Sequence, residues 1–472
     1  MPLPVLSISR MREWEQASWA AGRSEAEVIQ RVGRLIAERT LRLTRPGDQL
    51  LILAGKGHNG DDVRAAVPHL PERQTDLLNV TSPREQFATV QALLEARPAL
   101  ILDGLFGIGL NRVLPAEWVA LVAEVNASGR PILAIDTPSG LNADTGQPMP
   151  TAIAATITLT LAAPKVGLLL PSALPFVGRL EVSGDIGLIP QVADSDLFWS
   201  CAEDFQRYPP PRAVSSHKGS FGHLGIIAGS EGFHGAAVLA ARAGSRAQPG
   251  LITVWTHERT YLPVAAQLQS TMVHPWRLDL PAPERVTALV IGPGLAYPLL
   301  DDAFKAQVRE LWCKFPKPLL VDASALDWLP AGPIQTDATR VITPHPGEAA
   351  RMLQRRSESV QSDRRGALAE LSHRFGGCIV VLKGHQSLIG RNGSAAYVNS
   401  SGNPFLAQGG SGDVLSGYLG GLLAQPSLQT DPLFAIRYGV WRHGLASDKL
   451  TESGRSWNIE DLLESLASAT NA

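Results

Sequence analysis

The chain has 472 residues, 44% of them hydrophobic and 18% charged, which favours two or more domains and permits a large core. A formal net charge of -2 offers no footprint for nucleic acid or an acidic membrane face, and 44 glycines with 35 prolines suit a loop-rich α/β protein better than a helical bundle. Cys201, Cys313 and Cys378 are scattered without CxxC spacing, and Met1-Pro2-Leu3-Pro4 lacks the basic and apolar regions of a secretory signal, so reduced thiols in a cytoplasmic protein are expected.

In chain order, Val28, Ile29, Val32, Leu35 and Ile36 recur at helical spacing and predict an amphipathic helix within residues 11–45. Buried-strand runs follow at 49–54, 99–103, 132–136 and 156–161, separated by helix-like segments. Residues 151–170 hold no acid and one base, Lys165, but Thr156, Thr158 and Thr160 alternate with Ile157, Leu159 and Leu161. That period of two marks a strand and argues against a membrane span. Tyr208-Pro209-Pro210-Pro211-Arg212 is stiff and unable to continue a helix, so the join is placed near 200–215, with domains 1–208 and 209–472. A second series starts at 223–228 and continues at 251–255, 288–291, 319–322, 340–342 and 379–382; beyond Asp413 the chain reads as helical. Strands alternating with helices predict two doubly wound α/β domains with parallel sheets and loop-built sites at the strand C-termini.

Three strand ends in the first half carry chemistry. Gly55-Lys56-Gly57-His58-Asn59-Gly60-Asp61-Asp62 can turn sharply and aim backbone donors at a ligand. Asp103-Gly104-Leu105-Phe106-Gly107-Ile108-Gly109-Leu110 and Asp136-Thr137-Pro138-Ser139-Gly140-Leu141 would line the same crevice. Asp103 and Asp136 beside Asn59 and Ser139 make a hard-oxygen pocket, suited to a monovalent or hard divalent cation or to a base beside one. Capping of turns is the plain alternative for both aspartates.

In the second half, Gly235-Ala236-Ala237 opens a helix of small residues. Ile291-Gly292-Pro293-Gly294, the Asp322 loop and Thr343-Pro344-His345-Pro346-Gly347-Glu348 each end a strand. His345, held between two prolines, suits a ligand contact, and Lys383 of Lys383-Gly384-His385-Gln386-Ser387 could meet a phosphate as a point charge. The most informative stretch runs from Asn403-Pro404 to Gln408-Gly409-Gly410-Ser411-Gly412-Asp413-Val414-Leu415. Its glycines can expose successive amides where a helix begins, a place for phosphate. A carboxylate is repelled there unless it takes a proton from a hydroxyl reacting near the phosphate, which is the role predicted for Asp413. A Gly-rich turn with a capping Asp is the bland reading.

These motifs resemble the NAD(P)H-hydrate repair enzymes. Asn59, Asp103, the Asp136–Leu141 run, Ala163-Pro164-Lys165-Val166-Gly167-Leu168 and Gly184-Asp185-Ile186-Gly187 look like their epimerase domain over roughly 10–205. The resemblance implies a Rossmann-like three-layer sandwich, potassium at Asn59, Asp103 and Ser139, and hydrated dinucleotide at His58, Asn59, Gly60, Asp61, Asp62, Gly107, Ile108, Gly109, Leu110, Asn111, Arg112, Val113 and Asp136, the last also catalytic. One departure stands out. The family loop usually reads Asn-Asn-Gly-Gly-Asp-Gly, whereas here Asp61 adds a charge and a Cβ, and Val63 resists positive φ, which points to an impaired epimerase site.

Thr-Pro-His-Pro-Gly-Glu, Asn-Pro, Gly-Gly-Ser-Gly-Asp-Val-Leu and His443-Gly444-x-Ala446-x-Asp448, in that order, resemble the dehydratase domain, a ribokinase-like fold, over 215–465. The resemblance implies hydrated dinucleotide at Ala236, Gly294, His345 and Asp413, with adenine nucleotide at Lys383, Gly384, His385, Gln386, Ser387, Gly410, Ser411 and Gly412. Ser411 replaces the commoner Thr, and Ser324 the usual Asp. Implied too are repair of hydrated NADH and NADPH, with ADP (or ATP) and Mg2+ for dehydration of the S hydrate, R-to-S conversion by the first domain, and a homo-oligomer acting on small molecules without nucleic acid or membrane. The rival reading is a ribokinase-like small-molecule kinase with a non-catalytic first domain.

Overall fold

The computed structural model describes residues 1–190, 195–276, 285–296 and 300–468. The chain divides into two compact units, Leu3–Ser195 and, with Met1–Pro2, Asp196–Ala472.

In the first unit the strands lie in the order Gln74–Asn79, Gln49–Ala54, Leu100–Gly104, Ile132–Ile135, Ile157–Leu161, Arg179–Ser183, and every pairing is parallel. Alternation along the strands sorts side chains into two cores. Leu50, Ile52, Leu100, Leu102, Leu133 and Ile135 face one way, packing with Val32 and Ile36 of the helix Glu25–Leu43. Leu51, Leu53, Ile101, Ile132 and Ala134 face the other, against Val90 and Leu94 of Pro83–Glu95 and Leu121 and Val125 of Ala116–Ala127. A sheet buried on both faces is the predicted three-layer sandwich.

The helix expected over 11–45 is two helices, Ile8–Ala20 and Glu25–Leu43. The break is local: Gly22 takes φ 85°, and the Ser24 side chain accepts from the Glu27 amide at 3.4 Å to start the second helix. Two strands passed unseen, Gln74–Asn79 and Arg179–Ser183. They form the sheet's two edges, stay partly exposed and carry polar residues, so neither reads as an apolar run.

The second unit's sheet runs Leu197–Trp199, Ala396–Val398, Leu388–Gly390, Ile379–Leu382, Arg340–Ile342, Leu319–Val321, Ala288–Ile291, His223–Ile227, Leu251–His257, Met272–Trp276. It is parallel apart from the two antiparallel pairings made by Leu388–Gly390. The first strand of this series, His223–Ile227, lies between Leu251–His257 and Ala288–Ile291, which creates a switch point where chain direction diverges. Strands of three residues, such as Leu197–Trp199, are too short to show a period.

Residues 196–208, expected with the first domain, pack in the second unit. Leu197–Trp199 pairs with Ala396–Val398, Phe205 is fully buried, and Tyr208 meets Phe434 and Tyr438 at 4.9 Å. Asp204 receives Arg437 Nη2 at 3.0 Å. The polyproline stretch is fastened too: the Arg212 guanidinium lies 3.8 Å over the Phe221 ring. The helix Ser411–Leu423 approaches His234–Arg246 closely, because Gly417 and Gly421 present bare backbone; a Cβ on Gly417 would come within 2.0 Å of the Ala240 carbonyl oxygen.

Candidate active sites

In the first unit the site lies at the switch point beside Gln49–Ala54 and Leu100–Gly104. The stretch expected as a loop with positive φ is instead a helix, His58–Ala66, which begins straight after Gly57. Val63 is therefore helical and fully buried, and needs no left-handed conformation. Asp61 lies in the first turn, where it receives Arg64 Nη1 at 2.7 Å, and a carboxylate there complements the helix dipole. The steric ground for expecting an impaired site disappears.

Asp103 is fully buried and accepts from Ser139 Oγ at 2.6 Å and the Ser139 amide at 2.8 Å. Burial outweighs these bonds and pushes its carboxyl up to about 6. Asn59 Nδ2 donates to the Phe106 carbonyl at 3.0 Å, while its Oδ1, also buried, has no partner among the described residues. Ser139 Oγ accepts from the Phe106 amide at 2.8 Å. Asn59, Asp103 and Ser139 are thus gathered around the Phe106 backbone, with one orphaned oxygen among hard donors.

Asp136 adopts φ 64°, a strained conformation that Asp tolerates better than most residues. Its Oδ1 receives Lys165 Nζ at 2.5 Å, and Lys165, 1% exposed, also donates to Thr160 Oγ1 and the Leu161 carbonyl. Its Oδ2 faces Gly107: a Cβ there would stand 3.3 Å from that oxygen and 3.4 Å from Asn59 Cβ. Lys165 was legible only as part of a motif, yet it fixes the Asp136 carboxylate. Glu15, half-buried on the helix Ile8–Ala20, went unnoticed; burial and then Asp136 raise its carboxyl.

Other expected contacts sit further out. His58 is exposed and pairs with Glu25 at 2.9 Å. Ile108 packs against the core, whereas Gly109, Asn111, Arg112 and Val113 are exposed along the outer loop.

In the second unit, Gly410 takes φ 97° and starts the helix Ser411–Leu423. The Ser411 amide is spent on the Gln408 carbonyl at 3.3 Å. Among the described residues no acceptor takes the Gly412 and Asp413 amides, so these remain for an anion. Asp413 sits in the same turn. Burial and neighbouring Asp322 raise its carboxyl to about 6, although Lys383 opposes them.

Lys383 Nζ contacts Asp322 Oδ1 at 2.9 Å and Glu348 Oε2 at 3.8 Å. A Cβ on Gly412 would lie 3.4 Å from the same nitrogen, so lysine and amide cradle face one space. Burial works against the charged forms of Lys383 and Asp322. For Lys383 the two carboxylates win and raise it; for Asp322, Lys383 and the Ser416 hydroxyl at 2.5 Å win and lower it. Asp322, Ser416 and Glu348 had no predicted role, since nothing in sequence links Asp322 to a lysine 61 residues away.

His345 caps the helix Pro346–Leu353. Its Nδ1 accepts from the Gly347 amide at 3.0 Å, and Glu348 returns a bond to the His345 amide at 2.8 Å. That cap fixes the tautomer with hydrogen on Nε2 when the ring is neutral. Gly294 and Ala236 meet, as a Cβ on Gly294 would lie 2.8 Å from Ala236 Cβ. Gly384 and His385 are exposed, and their loop is held by Arg364, which donates to the Leu382, Lys383 and His385 carbonyls. Asn403 Nδ2 donates to Asp448 Oδ1 at 3.0 Å, and Asp448 Oδ2 accepts from Gly402, which ties the Asn-Pro loop to the helix Pro432–Glu452.

Two doubly wound α/β units, one with carboxylates and an orphaned oxygen at its switch point, the other with an amide-lined anion cradle, a lysine and a carboxylate base, define a two-site nucleotide-processing enzyme. A family model described as NAD(P)H-hydrate dehydratase matches residues 224–468, and one described as YjeF-related protein N-terminus matches residues 74–167. The bifunctional NAD(P)H-hydrate repair enzyme Nnr of Vibrio cholerae is 39% identical over 79% of this chain and 75% of its own length. That of Coxiella burnetii is 32% identical over 94% of each. Among solved structures, the ADP/ATP-dependent NAD(P)H-hydrate dehydratase of Bacillus subtilis, co-crystallised with ATP/Mg2+, matches at TM-score 0.52 and 27% identity, covering 57% of this chain and 96% of its own. The chain belongs to the family of bifunctional NAD(P)H-hydrate repair enzymes.

Proposed function

We propose that this chain restores hydrated NADH and NADPH, the first unit interconverting the R and S hydrates and the second dehydrating the S hydrate at the expense of ADP or ATP. The observation that carries the reading is Asp413 in the first turn of the Gly410-started helix, beside unengaged amides and opposite the Lys383–Asp322 pair. The substrate is an alcohol whose hydroxide is a poor leaving group. Moving a phosphoryl group onto that oxygen makes it a good one. Asp413 takes the hydroxyl proton, the Gly412 and Asp413 amides hold the phosphoryl oxygens, and Lys383 adds a positive charge. His345, Ala236 and Gly294 are the surfaces for the hydrated dinucleotide, and residues 383–387 with 410–412 those for the adenine nucleotide.

Mg2+ would neutralise the phosphates. Among the described residues no group of three or more His, Cys, Asp or Glu could hold it alone, and Asp322 and Glu348 are engaged, so the nucleotide oxygens would carry most of its coordination. In the first unit the orphaned Asn59 Oδ1, Asp103 and Ser139 fit a potassium ion, which would supply a fixed positive charge next to the dinucleotide; Asp136, His58–Asp62 and Gly107–Val113 would contact that substrate. The assembly is expected to be a homo-oligomer, which sedimentation of the full chain would check.

Incubating separated R and S hydrates with and without ADP and Mg2+ tests the whole. Both hydrates should regain reduced-nicotinamide absorbance with nucleotide and neither without it. An ADP-forming reaction between ATP and an added alcohol, with hydrate untouched, would favour the kinase reading instead.

A further inference from the structure

Asp62 belongs to the proposed substrate loop of the first unit, but contact alone does not account for a carboxyl so placed. It lies within the first turns of the helix His58–Ala66, 7% exposed, and among the described residues its carboxyl makes no hydrogen bond or ion pair. Asp103, also buried, is by contrast satisfied by Ser139. The Asp62 oxygens are not sealed into the core either, and Asp62 follows Asn59 by three residues on the same helix, one turn on from the side chain that shares the space over Gly107 with Asp136 Oδ2. An unpaired carboxyl this deep is costly unless it carries a proton or has a ligand to meet.

The charged groups that act on it through space are Asp136, Asp61 and Glu15. Asp61 is committed to Arg64, and Asp136 Oδ1 to Lys165, while Asp136 Oδ2 lies on the Gly107 side and makes no hydrogen bond among the described residues. Burial first, then those three carboxylates, push Asp62 well above the usual carboxylate range. Two carboxyl groups thus stand in different surroundings: Asp136 is paired with a buried lysine, whereas Asp62 has no such partner and burial disfavours its charge, the contrast expected between a base and an acid.

We propose that Asp62 is the proton donor for interconversion of the R and S hydrates, acting with Asp136 as the acceptor. This rests on the epimerase reading of the first unit. The hydroxyl sits on C6, next to the ring nitrogen N1. Asp62 gives its proton to that hydroxyl, the C6–O bond breaks and water leaves, while the N1 lone pair forms the C6=N1 bond. Water then adds to the other face of planar C6 and loses its proton to Asp136 Oδ2, and the C6=N1 pair returns to nitrogen. Passage of the proton from Asp136 back to Asp62 resets the site. No oxidant, reductant or nucleotide is consumed.

The test uses the full-length protein without nucleotide, starting from separated S hydrate of NADH and following R by chromatography. Wild type should equilibrate the epimers far faster than the spontaneous reaction, and its rate should fall on the alkaline side as Asp62 loses its proton. Asp62→Asn should slow equilibration at least about 100-fold, and Asp62→Glu should recover part of it. The same Asp62→Asn protein, given ADP and Mg2+, should dehydrate S hydrate at the wild-type rate, with an unchanged or higher Tm because an unpaired carboxyl has been removed. Asp62→Asn equilibration within threefold of wild type would overturn the proposal. So would a lowered Tm, which would make Asp62 structural. A wild-type protein no faster than the spontaneous rate would remove the epimerase reading itself, separately from Asp62.

Discussion

Asp413 and Asp322 lie in one pocket, and their surroundings push them in opposite directions. Asp413 is raised to about 6 by burial and by Asp322, so as a base it is competent only above that point. Dehydration measured as kcat/KM should rise from acid pH, bend near pH 6 and level off above it. Asp413→Asn should cost at least about 100-fold with little change in nucleotide binding. A variant as fast as wild type would sink the role given to this side chain. Asp322 is lowered, because Lys383 and Ser416 outweigh its burial, so its stabilisation is present above the ordinary carboxyl range and is lost only as pH falls through its lower folded value. Asp322→Asn removes the closest carboxylate of Lys383 and leaves Glu348 at 3.8 Å. It should raise the KM for ADP or ATP more than it lowers kcat, and cost about 3 kcal/mol in denaturant titration. The glycines and Asp413 were legible in sequence because their local chemistry is unusual. Asp322, Ser416 and Lys165 were not, since each acts through a partner brought near only by the fold.

The elements carry these residues by close approach. The helix Ser411–Leu423 bears the cradle at one end and slides against His234–Arg246 through Gly417 and Gly421, whose missing side chains leave room for the Ala240 and Gly244 carbonyls. Gly417→Ala would place a methyl 2.0 Å from the Ala240 oxygen, with backbone on both sides that cannot yield locally. The helix must move, so this one methyl should destabilise by about 1–3 kcal/mol and also weaken nucleotide binding, readable by thermal melts with and without ADP. A melt and a Kd equal to wild type would show that the contact is looser than drawn. Most central strands were visible as short apolar runs bounded by loops. Edges such as Gln74–Asn79 were not, because a half-exposed strand loses the apolar signature. The stretch 58–62 was misjudged for a different reason: Gly57-His58-Asn59-Gly60 looks like a loop, but Gly60 is needed in the helix because a Cβ there would meet the Gly55 carbonyl at 2.1 Å.

At the scale of the whole molecule, two units with separate chemistries should leave a kinetic signature. An R and S mixture offered to the full chain with ADP and Mg2+ contains one portion usable at once and one that must first be epimerised. If the first unit works, the whole mixture returns to NADH in one sustained course. Asp103 with Asn59 and Ser139 is the proposed potassium site, and Asp103, raised to about 6, must be ionised to hold the cation. Replacing K+ by Li+ at equal ionic strength should therefore split the course in two. A fast phase equal to the S fraction keeps its rate, and a slow phase for R lags. K+ should also raise the Tm relative to Li+ at pH 8, and this difference should shrink as pH falls below 6, where the Asp103 carboxyl takes up its proton. Asp103→Asn should behave in K+ as wild type behaves in Li+. A single sustained course and identical melts in both salts would rule out the potassium site while leaving the second unit's chemistry intact.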